Sequence, residues 1–241
     1  MNEMSETKST YFDQAATTWD DNPIRVALMK AVAGAIIRQA QPTSRMAMLD
    51  YGCGTGLISF FLAPHVGTAM AADSSEGMLT VLRQKIEQNG VKTIRPVRLD
   101  LECDPLPEDR YDLIVTNMVM HHVSDTLGML QKFHALLRPD GVLCISDLDT
   151  EPGVFHDAEA ATTVHHHGFD RQEFKGLMLQ VGFCDLGDST VHTIRKPVAS
   201  GGERDFPVFL ISGRRLRSGI GRSSPKPCSC HTWPGLRLPA S

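Results

Sequence analysis

The stretch Met46-Ala-Met-Leu-Asp-Tyr-Gly-Cys-Gly-Thr-Gly56 decides the fold of this 241-residue chain. An apolar run leads into Asp50, and three alternating glycines precede a second apolar run that begins at Leu57. This pattern predicts a buried strand, a tight glycine turn and the first turn of a helix. Glycine suits a turn where φ is positive or where a ligand rests on the backbone, and the helix N-terminus offers unpaired N–H groups.

Strand and helix patterns alternate along the rest of the chain. Such alternation predicts an α/β fold with a mostly parallel sheet and helices on both faces. A short Gly-rich loop joins the last two strands, so they form an antiparallel hairpin. The predicted strands are 46–50, 68–72, 94–99, 111–116, 142–146, 189–195 and 206–212, and the main predicted helices follow Pro23, Leu57, Ser75, Ser124 or Asp125, and Asp170. Arg138-Pro-Asp-Gly141 predicts a turn.

Composition indicates a soluble globular protein with 41% hydrophobic and 22% charged residues. No apolar run approaches the ~20 residues of a membrane helix, and the N-terminus lacks the apolar core of a secretory signal. Six scattered cysteines favour a reducing compartment over a disulfide framework, so we predict a cytoplasmic protein. The sequence gives no indication of the oligomeric state.

Three regions are predicted: an N-terminal helical cap over 1–45, a ligand-binding domain over 46–213, and a disordered tail over 214–241. The tail holds six of the 24 basic residues and no acidic ones, which leaves 18 basic against 28 acidic residues, or −10, in the rest. An acidic body argues against nucleic acid as the main partner, because phosphate contacts require Lys and Arg.

Four predicted strands end in polar residues that we expect at the same level of the sheet: Asp50, Asp73, Asp100 and Asn117. In a parallel α/β sheet, ligands bind at the carboxyl ends of the strands. Asp73 lies at the distance from the glycine turn at which a carboxylate accepts hydrogen bonds from a ribose diol. Asp100 is placed to accept from an exocyclic amine such as that of adenine.

A nicotinamide dinucleotide is the rival ligand. Its fingerprint requires Gly or Ala where this chain has Leu57, and the third glycine comes one residue early. Asp50 beside the turn disfavours a pyrophosphate and suits a cationic group such as an amino-acid ammonium. Adenine, ribose and an amino acid together describe S-adenosylmethionine.

Leu49-Asp-Tyr-Gly-Cys-Gly-Thr-Gly56 resembles the first motif of the Rossmann-like S-adenosylmethionine-dependent methyltransferases, and residues 111–123 and 136–143 resemble their later motifs. The chain is most similar to the small-molecule branch called type 11. The resemblance implies a seven-stranded sheet with a reversed last strand. It also implies an N-terminal helix that folds over the cofactor, for which Tyr11, Phe12 or Trp19 are candidates. The predicted cofactor residues are Asp50, Gly52, Gly54, Asp73, Ser74, Met78, Asp100, Leu101 and Asn117.

Two histidines are the catalytic candidates. His122 follows the fourth strand, beside the expected position of the methyl group, and His can titrate near neutral pH. His166 lies in the irregular segment 148–168, which we interpret as a substrate-recognition lid that forms the far wall of the pocket with Asp147. The spacing of the histidines and acids, and of Cys228, Cys230 and His231 in the tail, matches no metal motif, so no metal site is predicted.

These observations predict an S-adenosylmethionine-dependent methyltransferase that acts on a small-molecule acceptor. Two alternatives remain open from the sequence. One is a nicotinamide-dependent oxidoreductase, against which Leu57 and the terminal hairpin speak. The other is a regulatory protein that binds S-adenosylmethionine without catalysis.

Overall fold

The computed structural model describes residues 10–198 and 201–217. Within these residues seven strands form one sheet in the order β3-β2-β1-β4-β5-β7-β6. The strands are β1 (Ala47–Tyr51), β2 (Thr68–Asp73), β3 (Ile94–Arg98), β4 (Tyr111–Asn117), β5 (Leu137–Leu148), β6 (Phe183–Pro197) and β7 (Glu203–Arg215). The predicted fold class is confirmed.

The sheet is parallel except at β7. Strand β1 pairs in parallel with β2 and β4, β2 with β3, and β4 with β5, whereas β7 runs antiparallel between β5 and β6. The predicted hairpin and the reversed last strand are therefore confirmed. The reversal at β7 follows from its connection, because the short segment after Pro197 cannot cross over to make a parallel pair.

In the described part of the chain α-helices flank the sheet, and residues 10–15 are also α-helical. The helices with defined bounds are α1 (Pro23–Ala40), α2 (Leu57–Leu62), α3 (Glu76–Asn89), α4 (Thr126–Leu136) and α5 (Arg171–Val181). Their N-caps are the short polar residues that the sequence offers. The side chains of Asn22, Ser75, Asp125 and Asp170 accept backbone N–H groups of α1, α3, α4 and α5 respectively. These bonds satisfy donors that the first helical turn leaves without intrahelical partners.

The sheet separates two apolar cores. One core joins alternate strand residues such as Met48 and Ala71 to α1, α2 and α3, and the other joins residues such as Leu49 and Ile114 to α4 and α5. Because side chains alternate across a strand, Asp50 lies on the same face as Met48. Leu28, Val32 and Ile36 of α1 belong to the first core, so the helical part of the predicted N-terminal cap packs within the domain.

The segment before α1 is fastened to the glycine turn and to α3. Asp13 accepts from the Ser75 hydroxyl at 2.5 Å and from the Gly77 N–H at 2.8 Å. Asp20 forms an ion pair with Lys85 at 2.6 Å and accepts from the Thr55 hydroxyl at 2.6 Å. These contacts hold residues 10–22 across the carboxyl ends of β1 and β2.

Two predicted boundaries differ from the structure. The predicted turn at 138–141 lies inside β5, where Asp140 has a φ of +65° and the pairing with β4 is irregular between Tyr111 and Leu113. Strand β7 continues through Arg214 and Arg215, two residues beyond the predicted end of the domain. The predicted tail from residue 218 onward lies outside the described residues. In the part of the chain that is described, no helix combines the length and apolarity needed to cross a membrane.

Candidate functional site

The polar residues at the strand ends lie at three successive levels. The register aligns Tyr51 with Ala72 and Thr116, so Asp73 and Asn117 share a level and Asp50 lies two residues below it. In β3, Arg98 is aligned with Asp73, and Asp100 follows two residues later, above that level. Each step of two residues measures about 6–7 Å along a strand. The sequence predicted one common level, and the structure instead spreads the acids along the path of an elongated ligand.

A first cavity, of about 110 Å³, opens between these residues and the N-terminal segment. All the predicted cofactor residues except Leu101 line it, namely Asp50, Gly52, Gly54, Asp73, Ser74, Met78, Asp100 and Asn117. Phe12 and Trp19 cover it from the N-terminal segment, as the resemblance implied.

The glycine turn is shaped by positive φ angles and close neighbours. The φ angles of Gly52, Gly54 and Gly56 are +70°, +53° and +83°. A Cβ on Gly52 would lie 2.2 Å from a methyl group of Val119, and one on Gly56 would lie 2.4 Å from Leu82, so neither position has room for a side chain. Gly54, in contrast, faces the cavity.

Asp73 holds this turn as well as facing the cavity. Its Oδ2 accepts from the Gly54 N–H at 2.7 Å, and its Oδ1 accepts from the Ser75 N–H at 2.9 Å. Carboxylate oxygens have further lone pairs, so both bonds are compatible with acceptance from a ribose diol. Asp73 therefore connects the glycine turn, the N-terminus of α3 and the cavity.

Asp50 is a buried carboxyl at the base of the first cavity, 2% exposed. Burial, with a smaller contribution from the charge of Asp73, raises its pKa to about 7 even though the Ser59 hydroxyl donates to it at 2.6 Å. Nearby, the Asn117 Oδ1 is buried and has no hydrogen-bond partner among residues 10–198 and 201–217. A buried acid and an orphaned amide oxygen form a site that a cationic donor would complete.

Leu101 does not contribute a side chain to the cavity, contrary to the prediction. It is fully buried in the second core, on the side of α4, and its N–H donates to the Tyr51 hydroxyl. Leu99, two residues earlier, lines the cavity instead. The prediction failed because the chain turns directly after β3, and this turn sends Leu101 beneath the sheet edge.

A second cavity, of about 340 Å³, adjoins the first. The two share the side chains of Phe12, Trp19, Met29, Met118 and His122 as a common wall. Aromatic residues of the N-terminal segment, apolar residues of α1 and β6, and four residues between 155 and 160 line the second cavity, and Arg25 and Lys196 are its cations. Burial lowers the pKa of both cations, because nearby acids only partly compensate their lost hydration.

His122 lies on the wall between the cavities, as the sequence predicted for a residue after β4. It is 6% exposed, and its Nδ1 lies 2.8 Å from the carbonyl oxygen of Thr163. A carbonyl only accepts, so Nδ1 carries the proton and the basic lone pair of the neutral ring is on Nε2. The ring of Phe12 packs edge-on against it, 5.5 Å between centroids.

His166 lines neither cavity, contrary to its prediction as a catalytic residue. Its Nε2 lies 3.0 Å from the carbonyl oxygen of Val123, and its ring packs on Phe169. His165 and His167 also lie outside both cavities, so the predicted far wall is absent there. Asp147 is fully buried behind His121, to whose Nδ1 it lies at 2.7 Å.

The sequence analysis missed His156, which lines the second cavity with Phe155 and Asp157. Burial and the neighbouring His121 lower the pKa of His156 to about 4, so its ring is neutral at pH 7. Its segment has neither helical nor strand periodicity, and no local signal predicts which way its side chain points. Only the concentration of histidines in 147–168 indicated that this segment was unusual.

The sequence matches known proteins in the region of this site. Residues 48–141 match a family model described as a methyltransferase domain. An uncharacterized methyltransferase of Schizosaccharomyces pombe is 33% identical over 147 residues, which cover 56% of this chain and 52% of that protein. A ubiquinone biosynthesis O-methyltransferase of Actinobacillus pleuropneumoniae is 29% identical over 167 residues, covering 62% and 67%. The chain thus spans about half to two thirds of the length of these relatives.

The fold is also that of known structures. The structure of the DhpI–SAH complex superposes with a TM-score of 0.68 and 18% identity, and the match covers 90% of this chain and 98% of that one. At this identity the likeness concerns the fold.

Proposed function

Because the chain belongs to the class I, Rossmann-like S-adenosylmethionine-dependent methyltransferases, we propose that it methylates a small-molecule acceptor held in the second cavity. The observation that carries the proposal is the wall between the two cavities, which one histidine, two aromatic and two methionine side chains share. A methyl group at the end of the cofactor would meet the acceptor where these shared side chains line both cavities, without leaving the protein.

The described residues fit the cofactor of this family along the length of the first cavity. We assign the adenine end to Asp100, the ribose to Asp73 and the amino-acid ammonium to Asp50 and the orphaned Asn117 Oδ1. S-adenosylmethionine supplies a methyl group made electrophilic by its sulfonium. The protein then has to align the acceptor atom with that group and to exclude water.

The second cavity favours an acceptor that has an apolar body and an anionic group. Leu28, Phe155 and Ile194 provide the apolar wall, and Arg25 and Lys196 provide two partly desolvated cations. Arg25 stacks on the Trp19 ring at 3.6 Å, which fixes the position of its guanidinium at the cavity. A carboxylate would recover electrostatic stabilisation that burial took from these cations.

His122 is the proposed contact between acceptor and protein at the reacting atom. With its Nδ1 proton directed to Thr163, its Nε2 is the atom that can take a proton from an acceptor hydroxyl. Relatives named as O-methyltransferases support oxygen as the first atom to test. The first substrate panel therefore consists of hydroxylated aromatic acids, with matched compounds that lack the acid or the hydroxyl.

The test combines cofactor binding with transfer of a labelled methyl group. We expect calorimetry to show one S-adenosylmethionine site and no site for NAD, and Asp73→Ala to weaken cofactor binding by about 10-fold or more, because it removes charge-assisted bonds of about 1.5–3 kcal/mol each. His122→Ala should lower kcat/KM for the accepted compound while leaving cofactor affinity close to that of the parent. Binding of NAD instead of S-adenosylmethionine would contradict the proposal. Tight cofactor binding without transfer to any compound of the panel would favour the non-catalytic alternative.

A further inference from the structure

Three histidines converge at the edge of the second cavity. His121 and His122 lie in the short 3-10 turn Met120–His122 after β4, and His156 reaches them from the irregular segment after β5. One ring nitrogen from each of the three lies within 4.8 Å of the others. The ring centroids are 4.1 Å apart for His121 and His122, and 5.0 and 5.5 Å from these two to His156.

Two of these rings are oriented by acceptors behind them. His121 Nδ1 lies 2.7 Å from a carboxylate oxygen of Asp147, which is fully buried and also accepts from the His121 and Leu148 N–H groups. His122 Nδ1 lies 2.8 Å from the Thr163 carbonyl oxygen. Both partners place the proton on Nδ1 and leave Nε2 as a lone-pair donor. Histidines that bind metals are held in the same way, by a carboxylate or carbonyl on the other ring nitrogen.

Two of the ring nitrogens lack the partner that burial demands. The Nε2 atoms of His121 and His156 are buried and form no hydrogen bond with any other residue that the structure describes. His121 as a whole is 1% exposed. A buried polar atom without a partner is costly, and two in one cluster indicate a ligand that accepts electron pairs from both.

We propose that His121, His122 and His156 bind a late first-row divalent metal ion, with zinc as the best match. Three imidazole ligands suit Zn²⁺, and also Co²⁺ or Ni²⁺, whereas Mg²⁺ and Ca²⁺ require oxygen ligands. Zinc–nitrogen distances of about 2.1 Å place the nitrogens of such a site within about 4 Å of one another. His156 lies on a segment outside helix and strand. Its ring therefore has to move toward the other two histidines by on the order of 1 Å when the metal binds.

All three histidines line the second cavity, so a further ligand of the metal would come from there. A metal at this place would bind the acceptor hydroxyl and lower its pKa, so the metal rather than His122 Nε2 would activate that oxygen, which rests on the proposed function. The buried Asp147 behind His121 supplies negative charge against that of the ion. The sequence predicted no metal site because its ligands are separated by 34 residues without a recognised spacing, and the fold alone brings them together.

The test measures metal binding without cofactor or acceptor, so its outcome is independent of methyl transfer. The untagged full chain, stripped with a chelator, is titrated with Co²⁺ and then with Zn²⁺. We expect one Co²⁺ per chain, with visible absorption that Zn²⁺ abolishes and without sulfur-to-cobalt charge transfer in the near ultraviolet. Mg²⁺ should not compete.

The variants distinguish the proposed metal ligands from a histidine that we expect not to bind the metal. His121→Ala and His156→Ala should each weaken Zn²⁺ binding by more than about 100-fold, and Asp147→Asn, which alters a positioning residue, by about 10–100-fold. His167→Ala, which removes a mostly exposed imidazole beside Glu151, should leave it unchanged. His156→Ala is the variant of least structural risk, and S-adenosylmethionine binding and the melting temperature verify its fold.

Three results would overturn the proposal. The first is no stoichiometric Co²⁺ or Zn²⁺ binding by the parent chain. The second is binding that the folded His156→Ala protein retains. The third is a thiolate charge-transfer band that disappears when Cys228, Cys230 and His231 are replaced, because it would assign the metal to the C-terminal residues.

Discussion

Asp50 is a residue at which burial and charge are opposed. A carboxyl so deeply buried resists ionisation, and its pKa is about 7 in the absence of a cation. A bound ammonium would reverse this preference, because an ion pair in a buried site favours the ionised acid. Under the proposed assignment of the ammonium, cofactor binding and the protonation of Asp50 are linked.

The linkage predicts opposite pH dependences for the unliganded and the liganded protein. The folded pKa exceeds the unfolded value of about 3.9, so the native state binds more protons between these values. The unliganded protein should lose about 4 kcal/mol of stability from this group as the pH rises from about 4 to about 7, and no more above it. Affinity for S-adenosylmethionine should instead rise through pH 7, with release of a proton.

Asp50→Asn tests both parts. Denaturant unfolding at pH 5 and pH 8 should show a smaller pH dependence in the variant than in the parent, and calorimetry in two buffers of different ionisation enthalpy should show proton release by the parent alone. Asp185→Asn, which changes an exposed carboxyl, serves as the control. Equal pH dependence of unfolding in Asp50→Asn and the parent would refute the assignment.

At the scale of the element, the glycine turn between β1 and α2 is the most constrained segment. Its backbone N–H groups at Gly52 and Cys53 donate to the carbonyl of Ala72, and Asp73 accepts from Gly54. The turn is thus hydrogen-bonded to the end of β2 at successive residues, so a displacement of one strand end moves the other. A distortion at Gly52 should reach the cofactor cavity by this route.

Gly52→Ala and Gly90→Ala form a matched pair that separates steric overlap from backbone strain. Both glycines have similar positive φ angles, +70° and +62°, but the Cβ added at Gly90 meets nothing within 4 Å, whereas that at Gly52 meets Val119. The left-handed conformation costs about 1–2 kcal/mol in each variant. Overlap with Val119 should add about 1–3 kcal/mol at Gly52.

Urea denaturation and cofactor titration measure the two effects. Gly90→Ala should lower stability modestly and leave cofactor affinity unchanged, because α3 ends far from the cavity at that residue. Gly52→Ala should lower both. Equal losses of stability in the two variants would show that Val119 yields without cost and that φ alone requires glycine at residue 52.

At the scale of the whole molecule, the two edges of the sheet differ in how they are held. At one edge, β3 pairs in parallel with β2 and packs against α3. At the other edge, β6 and β7 form a long hairpin in which β7 lies against β5. Arg215 at the end of β7 donates to the carbonyl groups of His134, Ala135 and Leu137, at the end of α4. Arg214 donates to the carbonyl of Asp140 at 2.7 Å. The last residues of β7 therefore join the hairpin to α4 and β5.

Two truncations locate the end of the folded domain. Composition predicted that the whole tail over 214–241 can be removed without loss of stability. Because β7 includes Arg214 and Arg215, we now expect an unchanged melting temperature and cofactor affinity only on removal of residues 218–241. Removal from Arg214 onward should lower the melting temperature, because it deletes the last pairs of β7 and the contacts of Arg215 with α4. The comparison uses calorimetric melting at one pH, and equal melting temperatures for the two truncations would show that β7 is complete at Gly213.

The amino-acid sequence by itself determined the elements, their order and most of the lining of the first cavity. Caps, periodic apolar residues and glycines are local signals, and they act within a few residues of the strand ends that carry Asp50, Asp73 and Asn117. This is why the parallel strands, the terminal hairpin and the positions of the acids were predictable without any knowledge of packing.

Tertiary structure alone decided the side chains around the second cavity. The direction of Leu101 depends on the turn after β3, and the exclusion of His166 and the inclusion of His156 depend on how the segment after β5 folds back over β4. Such a segment lacks a repeating pattern, so the contacts of its side chains are set by long-range packing. The physical reason is that local propensities restrict the backbone at each residue, whereas the meeting of residues distant in sequence depends on the shape of the whole core.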